Sequence, residues 1–188
     1  MATRIILEDG EPGLNKKSRE ITDFNKRLHT LLDDMRETLI DANGLGLAAP
    51  QVGVLRRAVL IVDTALGSEP EEDATEDEIY ENYNKQIIEL VNPEIVNKEG
   101  VQEGSEGCLS IPGVYGIVVR PETVQVKAYD RNGKDFKLEL SELAARAVCH
   151  EIDHLDGVLF TSIAERLLSD EELAEMAAAK NEQGEESR

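Results

Sequence analysis

Two histidines in the last quarter of the sequence have the spacing of metal ligands. They belong to the H-E-x-x-H pattern His150-Glu151-Ile152-Asp153-His154. On a helix, residues i and i+4 lie on one face, so both imidazoles can reach one metal ion. Glu151, next to His150, is then placed to take a proton from water at that ion. If these residues form a helix, the pattern predicts a metal-dependent hydrolase.

A third ligand is needed, because hydrolytic metals usually have three protein ligands and one position for water. A metzincin would have a histidine at position 160, where this chain has Phe160, and that class is excluded. Two choices remain open. One is Cys108, between a glycine and a strand-like run. The other is a downstream glutamate, as in thermolysin-like enzymes, from the set Glu165, Glu171, Glu172 and Glu175.

The elements around the pattern must place it on a helix. Ser141 can cap a helix that runs to about Leu155 and stops at Gly157. Apolar residues at three- and four-residue spacing predict an earlier amphipathic helix of about 20 residues, with Thr22 or Asp23 as its cap. They are Phe24, Leu28, Leu31, Met35 and Leu39.

Strand signals occupy the middle of the chain. Residues 44–53, rich in glycine and alanine, predict a loop, and residues 58–62 a strand. Alternating residues in 123–128 and 136–140, joined by Asn132-Gly133, predict a β-hairpin. Strands grouped between helices favour an α+β fold over alternating βαβ units.

Composition limits the class of protein. The 188 residues and 20.8 kDa are typical of one domain. A net charge of -19 opposes docking on nucleic acid or on an anionic membrane, so we expect neither partner. The two cysteines, Cys108 and Cys149, and the lack of an export signal at the start favour reduced thiols in the cytoplasm. We expect a monomer.

Acidic residues are concentrated in two segments. Residues 67–86 interrupt the apolar pattern, which predicts a surface insertion that is a dispensable loop with little part in the core. Residues 166–188 predict a C-terminal helix and polar tail, because Ser169 and Glu172 fit a capping box, and we expect fraying after Lys180. The main domain would then span residues 1–165.

Three separated stretches resemble the peptide deformylase family. Its G-x-G-x-A-A-x-Q, E-G-C-L-S and H-E-x-D-H-L stretches occur in that order at residues 44–51, 106–110 and 150–155. The resemblance implies antiparallel or mixed sheets around a central metal-binding helix, with N- and C-terminal helices. It also implies removal of the N-formyl group from newly made chains that begin with formylmethionine, with release of formate.

The resemblance further implies roles for individual residues. Cys108, His150 and His154 would hold one divalent metal, natively Fe(II), although Zn, Ni or Co can satisfy the same ligands. Glu151 would carry the proton, and the Gln51 amide and the Leu109 backbone N–H would donate to the formyl oxygen. Glu106 would pair with Arg120, as the corresponding residues do in the family.

The substrate would be a formylated nascent peptide that binds as an added strand. Gly46 is the expected backbone contact, because a loop without Cβ atoms admits an extended chain. Leu143 and Ala147 lie on the helical face of the histidines and are candidates for the methionine pocket, although such positions are as often plain core. The acidic C-terminal helix argues against ribosome docking through it, since related enzymes use a basic surface. A glutamate-liganded metallopeptidase and a non-catalytic metal-stabilised module are the competing classes.

Overall fold

Helices and strands of the computed structural model, which describes residues 2–68 and 74–175, agree with the α+β class. The α-helices are α1 (Lys26–Asp41), α2 (Glu76–Gln86) and α3 (Glu142–Leu155). The strands are β1 (Gly46–Ala48), β2 (Ala58–Val62), β3 (Ile87–Glu99), β4 (Gln102–Cys108), β5 (Ile111–Arg120), β6 (Thr123–Tyr129), β7 (Asp135–Ser141) and β8 (Arg166–Leu167). Residues 170–175 are also helical. Among the described residues, no helix combines the length and the apolar character that crossing a bilayer requires.

The strands form two antiparallel sheets. One has the order β1-β2-β3-β6-β7, and the other has the order β4-β5-β8. The first sheet therefore ends at β1 on one side and at β7 on the other. Antiparallel pairing with helices packed on the sheet confirms the predicted fold class.

Strand β2 explains how α1 and α3 are placed. All five of its residues are buried, and its side chains alternate between two hydrophobic clusters. Leu60 and Val62 pack with α1, whereas Val59 and Ile61 pack with α3. Because successive side chains of a strand point to opposite faces, the two helices cover opposite faces of the five-stranded sheet.

Helix α1 is shorter than the sequence predicts. It begins at Lys26, not near Thr22 or Asp23, and its cap is Asn25, whose side-chain oxygen accepts from the N–H of Arg27 at 2.9 Å. The preceding segment is held extended by a tertiary contact. Asn92 bonds both the N–H and the C=O of Ile21 through its side-chain amide, at 2.8 Å each. The contact with Asn92 therefore prevents the segment upstream of Asn25 from joining the helix.

The acidic segment is not the loop that we expected. Residues 76–86 form α2, which starts at a capping box in which Glu78 N–H donates to Thr75 Oγ1 and Thr75 N–H donates to the Glu78 carboxylate. Three acids in the first turn and Lys85 in the last suit the helix dipole. Only Gln86 of this helix is buried, and Tyr83 packs partly against the core. Local capping overrides the high charge that suggested a loop.

The glycine-rich stretch also differs from the expected loop. Its residues 46–48 form strand β1, and Ala49–Val52 form a 3-10 helix. Pairing of Gly46 with Ile61 and of Ala48 with Val59 makes this stretch the edge of the five-stranded sheet. Short strands rich in glycine carry little propensity of their own, and here the neighbouring strand supplies the order.

Other sequence expectations hold. Strands β6 and β7 form the predicted hairpin, with Val126 opposite Leu138, and Gly133 has φ +85° in its turn. The predicted capping box of the C-terminal helix is present, since Ser169 N–H donates to Glu172 Oε2 at 2.9 Å and Glu172 N–H to Ser169 Oγ at 3.3 Å. The expected fraying after Lys180 lies outside the described residues.

Candidate active site

Helix α3 and the end of β4 bring three metal-binding side chains together. The candidate ligand atoms of Cys108, His150 and His154 all lie within 4.8 Å of one another. Cys108 Sγ is 3.2 Å from His154 Nε2, and the two imidazole centroids are 5.0 Å apart. One thiolate and two imidazoles are a donor set that suits a tetrahedral divalent ion. No other such cluster occurs within residues 2–68 and 74–175.

Cys108 reaches this cluster because of an irregular strand ending. The pairing of β4 with β5 changes register between Gly107 and Cys108, so that Cys108 pairs with Ile111 in a tight turn. Such an irregularity re-aims the side chain that follows it. Cys149, by contrast, is buried in the hydrophobic cluster between α3 and the five-stranded sheet and is not part of the metal-binding group.

Glu106 joins the metal-binding helix to the three-stranded sheet. This buried carboxylate accepts from Arg120 Nε at 2.8 Å, from Arg120 Nη2 at 3.0 Å and from Arg146 Nη1 at 2.9 Å. The expected pairing of Glu106 with Arg120 is confirmed. Burial alone would raise the pKa of Glu106, but the hydrogen bonds from His150 and Arg120 lower it to about 2. Glu106 is therefore ionised at neutral pH.

The same carboxylate orients His150. His150 Nδ1 lies 3.0 Å from Glu106 Oε2, and because a carboxylate can only accept, Nδ1 donates and Nε2 is the nitrogen left for a metal. Burial opposes protonation of His150, but hydrogen bonds with Cys108 and Glu106 raise its pKa to about 10. Burial lowers the pKa of His154 to about 3, which keeps that imidazole neutral.

Glu151 is enclosed beside the ligands. Its Oε2 is buried and has no hydrogen-bond partner within the described part of the chain, and burial raises its pKa to about 7. A Cβ at Gly46 would lie 2.7 Å from Glu151 Cγ, which is closer than real Cβ contacts come. The glycine therefore lets the free edge of β1 approach this carboxylate. An unpartnered buried carboxylate next to a ligand cluster is consistent with a partner that is not protein, such as water or substrate.

A cavity of about 460 Å³ opens over these groups. Every site residue predicted from the sequence lines it, except His154, which belongs to the ligand cluster. Leu109 contributes from the turn between β4 and β5, Leu143 is 45% exposed at the rim, and Ala147 is buried in the wall. The structure thus brings together residues, such as Gly46 and Glu151, that lie more than a hundred positions apart in the sequence.

Gln51 is held in one orientation by two neighbours. Its Oε1 accepts from Ala48 N–H at 2.8 Å, and its Nε2 donates to Ser110 Oγ at 3.2 Å and lies 3.6 Å from Cys108 Sγ. The amide N–H groups therefore point to the metal-binding side of the cavity. Ser110, which is fully buried, was missed as an orienting residue although it lies in the E-G-C-L-S stretch.

Sequence reasoning also missed two charged partners. Arg146 donates to Glu106 and to the carbonyl of Val118 at 3.0 Å, and Asp153 Oδ2 accepts from Arg120 Nη1 at 2.6 Å. Asp153 is the aspartate of the H-E-x-D-H-L stretch, but that stretch does not indicate which residue its carboxylate contacts. Neither contact had a local sequence signal.

The downstream glutamates do not join the ligand cluster. Glu172 accepts from Arg166 Nη1 at 2.7 Å and closes the capping box with Ser169. Glu165, Glu171 and Glu175 are absent from the metal-binding group found in the described residues. Of the two candidate ligand sets, only the one with Cys108 is brought together in the described residues.

Comparison with known proteins identifies relatives along nearly the whole chain. The family model described as polypeptide deformylase matches residues 3–169. A peptide deformylase from Caldicellulosiruptor bescii is 50% identical over 92% of this chain and 92% of its own length. Peptide deformylase 1 from Bacillus subtilis is 44% identical over 94% of this chain and 99% of its own.

Solved structures of peptide deformylases also resemble this chain in backbone. The crystal structure of a peptide deformylase from Legionella pneumophila has a TM-score of 0.74 and 38% identity, and covers 100% of this chain and 99% of its own. A class I type b peptide deformylase from Acinetobacter baumannii, crystallised with Met-Ala-Ser bound, has a TM-score of 0.72 and 30% identity, and covers 86% and 98%. Sequence and backbone similarity therefore coincide over the same residues.

Proposed function

The chain belongs to the peptide deformylase family, a metal-dependent family of hydrolases that remove the N-formyl group from newly made polypeptides, and we propose that Cys108, His150 and His154 hold its metal. The observation that carries this assignment is the convergence of one thiol and two imidazoles, with ligand atoms within 4.8 Å of one another, at the cleft that Cys108 and His150 line. When bound by these three residues, a divalent ion would supply Lewis acidity to water and to the formyl carbonyl. We propose Fe(II) as the native ion.

Glu151 is the proton carrier in this proposal. The carboxylate accepts a proton from the attacking water, and the water oxygen bonds to the formyl carbon. Glu151 then returns the proton to the amide nitrogen as the C–N bond breaks, so that a free N-terminus and formic acid, which ionises to formate, are formed. Support comes from its burial beside the ligands and from the free Oε2, which no described residue engages.

Gln51 and Leu109 are proposed to stabilise the charge that develops on the formyl oxygen. The Gln51 amide is preset by Ala48 and Ser110 and points toward Cys108. Leu109 follows Cys108 in the turn and lines the same cavity. Donors fixed before the reaction stabilise an oxyanion more than mobile ones, because they need no reorganisation.

The peptide is proposed to pair with the edge of β1 at Gly46 and to place its methionine side chain against Leu143 and Ala147. The β1 edge is free in the sheet order, and both apolar residues border the cavity. The Met-Ala-Ser bound by the Acinetobacter baumannii relative is the product expected from formyl-Met-Ala-Ser. The net charge of -19 supports a monomer without a nucleic-acid partner. The two free cysteines, Cys108 and Cys149, support reduced thiols in the cytoplasm.

The decisive experiment uses formyl-Met-Ala with enzyme loaded anaerobically with iron. We expect release of formate while the Met-Ala peptide bond stays intact. A metallopeptidase would cleave the peptide bond, and a structural metal module would do neither. Iron beside a thiolate should also make activity decline in air. Equal durability with and without oxygen would contradict the iron assignment alone, and a zinc or nickel preparation can still be active.

A further inference from the structure

Tyr83 links the acidic segment to the wall of the cleft. From α2, its hydroxyl donates to the backbone carbonyl of Gly44. Gly44 lines the cleft together with Leu45 and Gly46. The segment that the sequence predicts to be a dispensable loop therefore contacts, through α2, the residues leading into β1.

The segment that Tyr83 holds is the start of a free strand edge. The Leu45 carbonyl accepts from Val62 N–H at 2.9 Å, so Leu45 faces β2. Backbone groups of successive strand residues point alternately to the two sides, so the N–H and C=O of Gly46 face away from β2, toward the free edge. An extended peptide adds to such an edge. On the proposed function, this is the edge that receives the substrate.

Gly44 has little freedom apart from this contact. Its N–H donates to the Leu39 carbonyl at 3.2 Å, and a Cβ at this position would lie 2.8 Å from Leu109 Cδ1. The Gly44 backbone is thus wedged between α1 and the turn that carries Leu109. The Tyr83 hydroxyl fixes the remaining backbone group, the carbonyl.

Helix α2 is itself held by hydrogen bonds to its neighbours, which fixes the position of Tyr83. Arg36 on α1 donates through Nη1 to Asn84 O at 3.0 Å and to Asn84 Oδ1 at 2.8 Å. The Gln86 carbonyl accepts from Asp63 N–H at 2.9 Å, next to the end of β2. Burial raises the pKa of Tyr83 to about 12, so its hydroxyl remains a donor at neutral pH.

We propose that Tyr83 is a positioning residue for the peptide substrate: by holding the Gly44 carbonyl, it fixes the Gly44–Gly46 backbone in the conformation that pairs with the peptide. The proposal rests on the proposed function. It also gives the acidic segment a role, since the C-terminal half of α2 carries the contact while the capped N-terminal half supports it.

Tyr83→Phe tests the proposal, because it removes the hydroxyl and keeps the ring in the core. We expect KM for formyl-Met-Ala-Ser to rise about three- to tenfold, the range of one lost hydrogen bond, with kcat changed less than about twofold. The Kd of Met-Ala-Ser, measured by calorimetry, should rise by the same factor. Tyr80→Phe is the matched control. It lies on the same helix and its hydroxyl bonds Glu37 on α1 at 3.2 Å, outside the cleft, so KM and Kd should stay within about twofold.

Two results would overturn the positioning role. One is a Tyr83→Phe enzyme whose KM and Kd match those of Tyr80→Phe. The other is a fall in kcat and metal content with unchanged KM, which would indicate a general loss of structure. A wild-type enzyme that releases no formate would refute the proposed function instead, and the Met-Ala-Ser measurement would still decide the role of Tyr83.

Discussion

Helices α2 and α3 both contribute to the cleft, but different forces hold them. Helix α3 has ten buried residues among its 14, packs its apolar face on the five-stranded sheet and is tied to β4 and β5 by the ion network of Glu106. Helix α2 buries only Gln86 and depends on its capping box and on hydrogen bonds to α1. Helix α3 carries Glu151 and both histidines, whereas α2 contacts the wall of the cleft through Tyr83 and Gly44. Substitutions near α3 should therefore change the chemistry, and those on α2 should change substrate fit or local stability.

Removal of Cys108 is the strongest test of the α3 side. Cys108→Ala should leave the protein unable to retain metal and without measurable formate release, because two imidazoles alone remain. Cys149→Ala is the matched control, since this thiol packs in the hydrophobic cluster. Metal analysis and the formate assay on both variants decide the ligand. Retention of metal by Cys108→Ala together with its loss from Cys149→Ala would reverse the assignment.

Glu151→Gln should separate metal binding from turnover. The amide has the shape of the carboxylate but cannot carry the proton, so we expect normal metal content and a loss of turnover of at least about 100-fold, which is typical of general acid-base groups. Single-turnover kinetics with metal-matched samples would measure it. Full deformylase activity in this variant would exclude Glu151 as the proton carrier.

Gly46→Ala tests the close approach of β1 to α3. The new Cβ would lie 2.7 Å from Glu151 Cγ, so that either the strand edge or the carboxylate must move. A displacement of this size should lower turnover by about 10- to 100-fold. Gly13→Ala serves as control, because its Cβ would meet only Leu7 Cδ1 at 3.8 Å. Unchanged kinetics in Gly46→Ala would mean that the Glu151 side chain can move away from the new Cβ and still carry the proton.

Glu106→Gln probes the network that fixes His150. Loss of the charge leaves Arg120 and Arg146 partly unpaired in a buried place, which should cost about 3–5 kcal/mol of unfolding free energy. Metal affinity should fall about 10- to 100-fold, the usual effect of altering a residue that orients a ligand. Glu103→Gln, on the exposed side of β4, should change neither quantity. Zinc titration and urea denaturation would measure both, and equal behaviour of the two variants would show that the network is dispensable.

Thr75→Ala should have the smallest effect and act only on α2. It removes the hydroxyl that accepts from Glu78 N–H at 3.3 Å, a cap contribution of about 1 kcal/mol. Hydrogen exchange should show faster exchange in α2 and unchanged protection in α3, because α2 contributes little to the core. If α3 lost protection to the same extent, the two helices would be one cooperative unit and the contrast between them would fail.

Sequence alone determined the features that depend on local spacing. The pair His150 and His154, the helix that ends at Leu155 and the hairpin around Asn132-Gly133 all follow from periodicity and turn chemistry within a few residues. The three separated stretches also identified the family that the comparisons show. The helical form of residues 76–86 had a local signal as well, the capping box at Thr75 and Glu78, but the prediction of a loop considered only the high charge and the lack of apolar periodicity.

Only the tertiary structure decided which distant residues complete the site. Arg146 and Glu106 are 40 positions apart, His150 and Glu106 are 44 apart, and Tyr83 reaches Gly44 across 39 positions. No periodicity extends over such separations, because each of these contacts depends on how β1, α2 and α3 pack around the sheet. The sequence specifies the chemical groups and their local faces, while packing decides which carboxylate orients a ligand and which hydroxyl holds the strand edge.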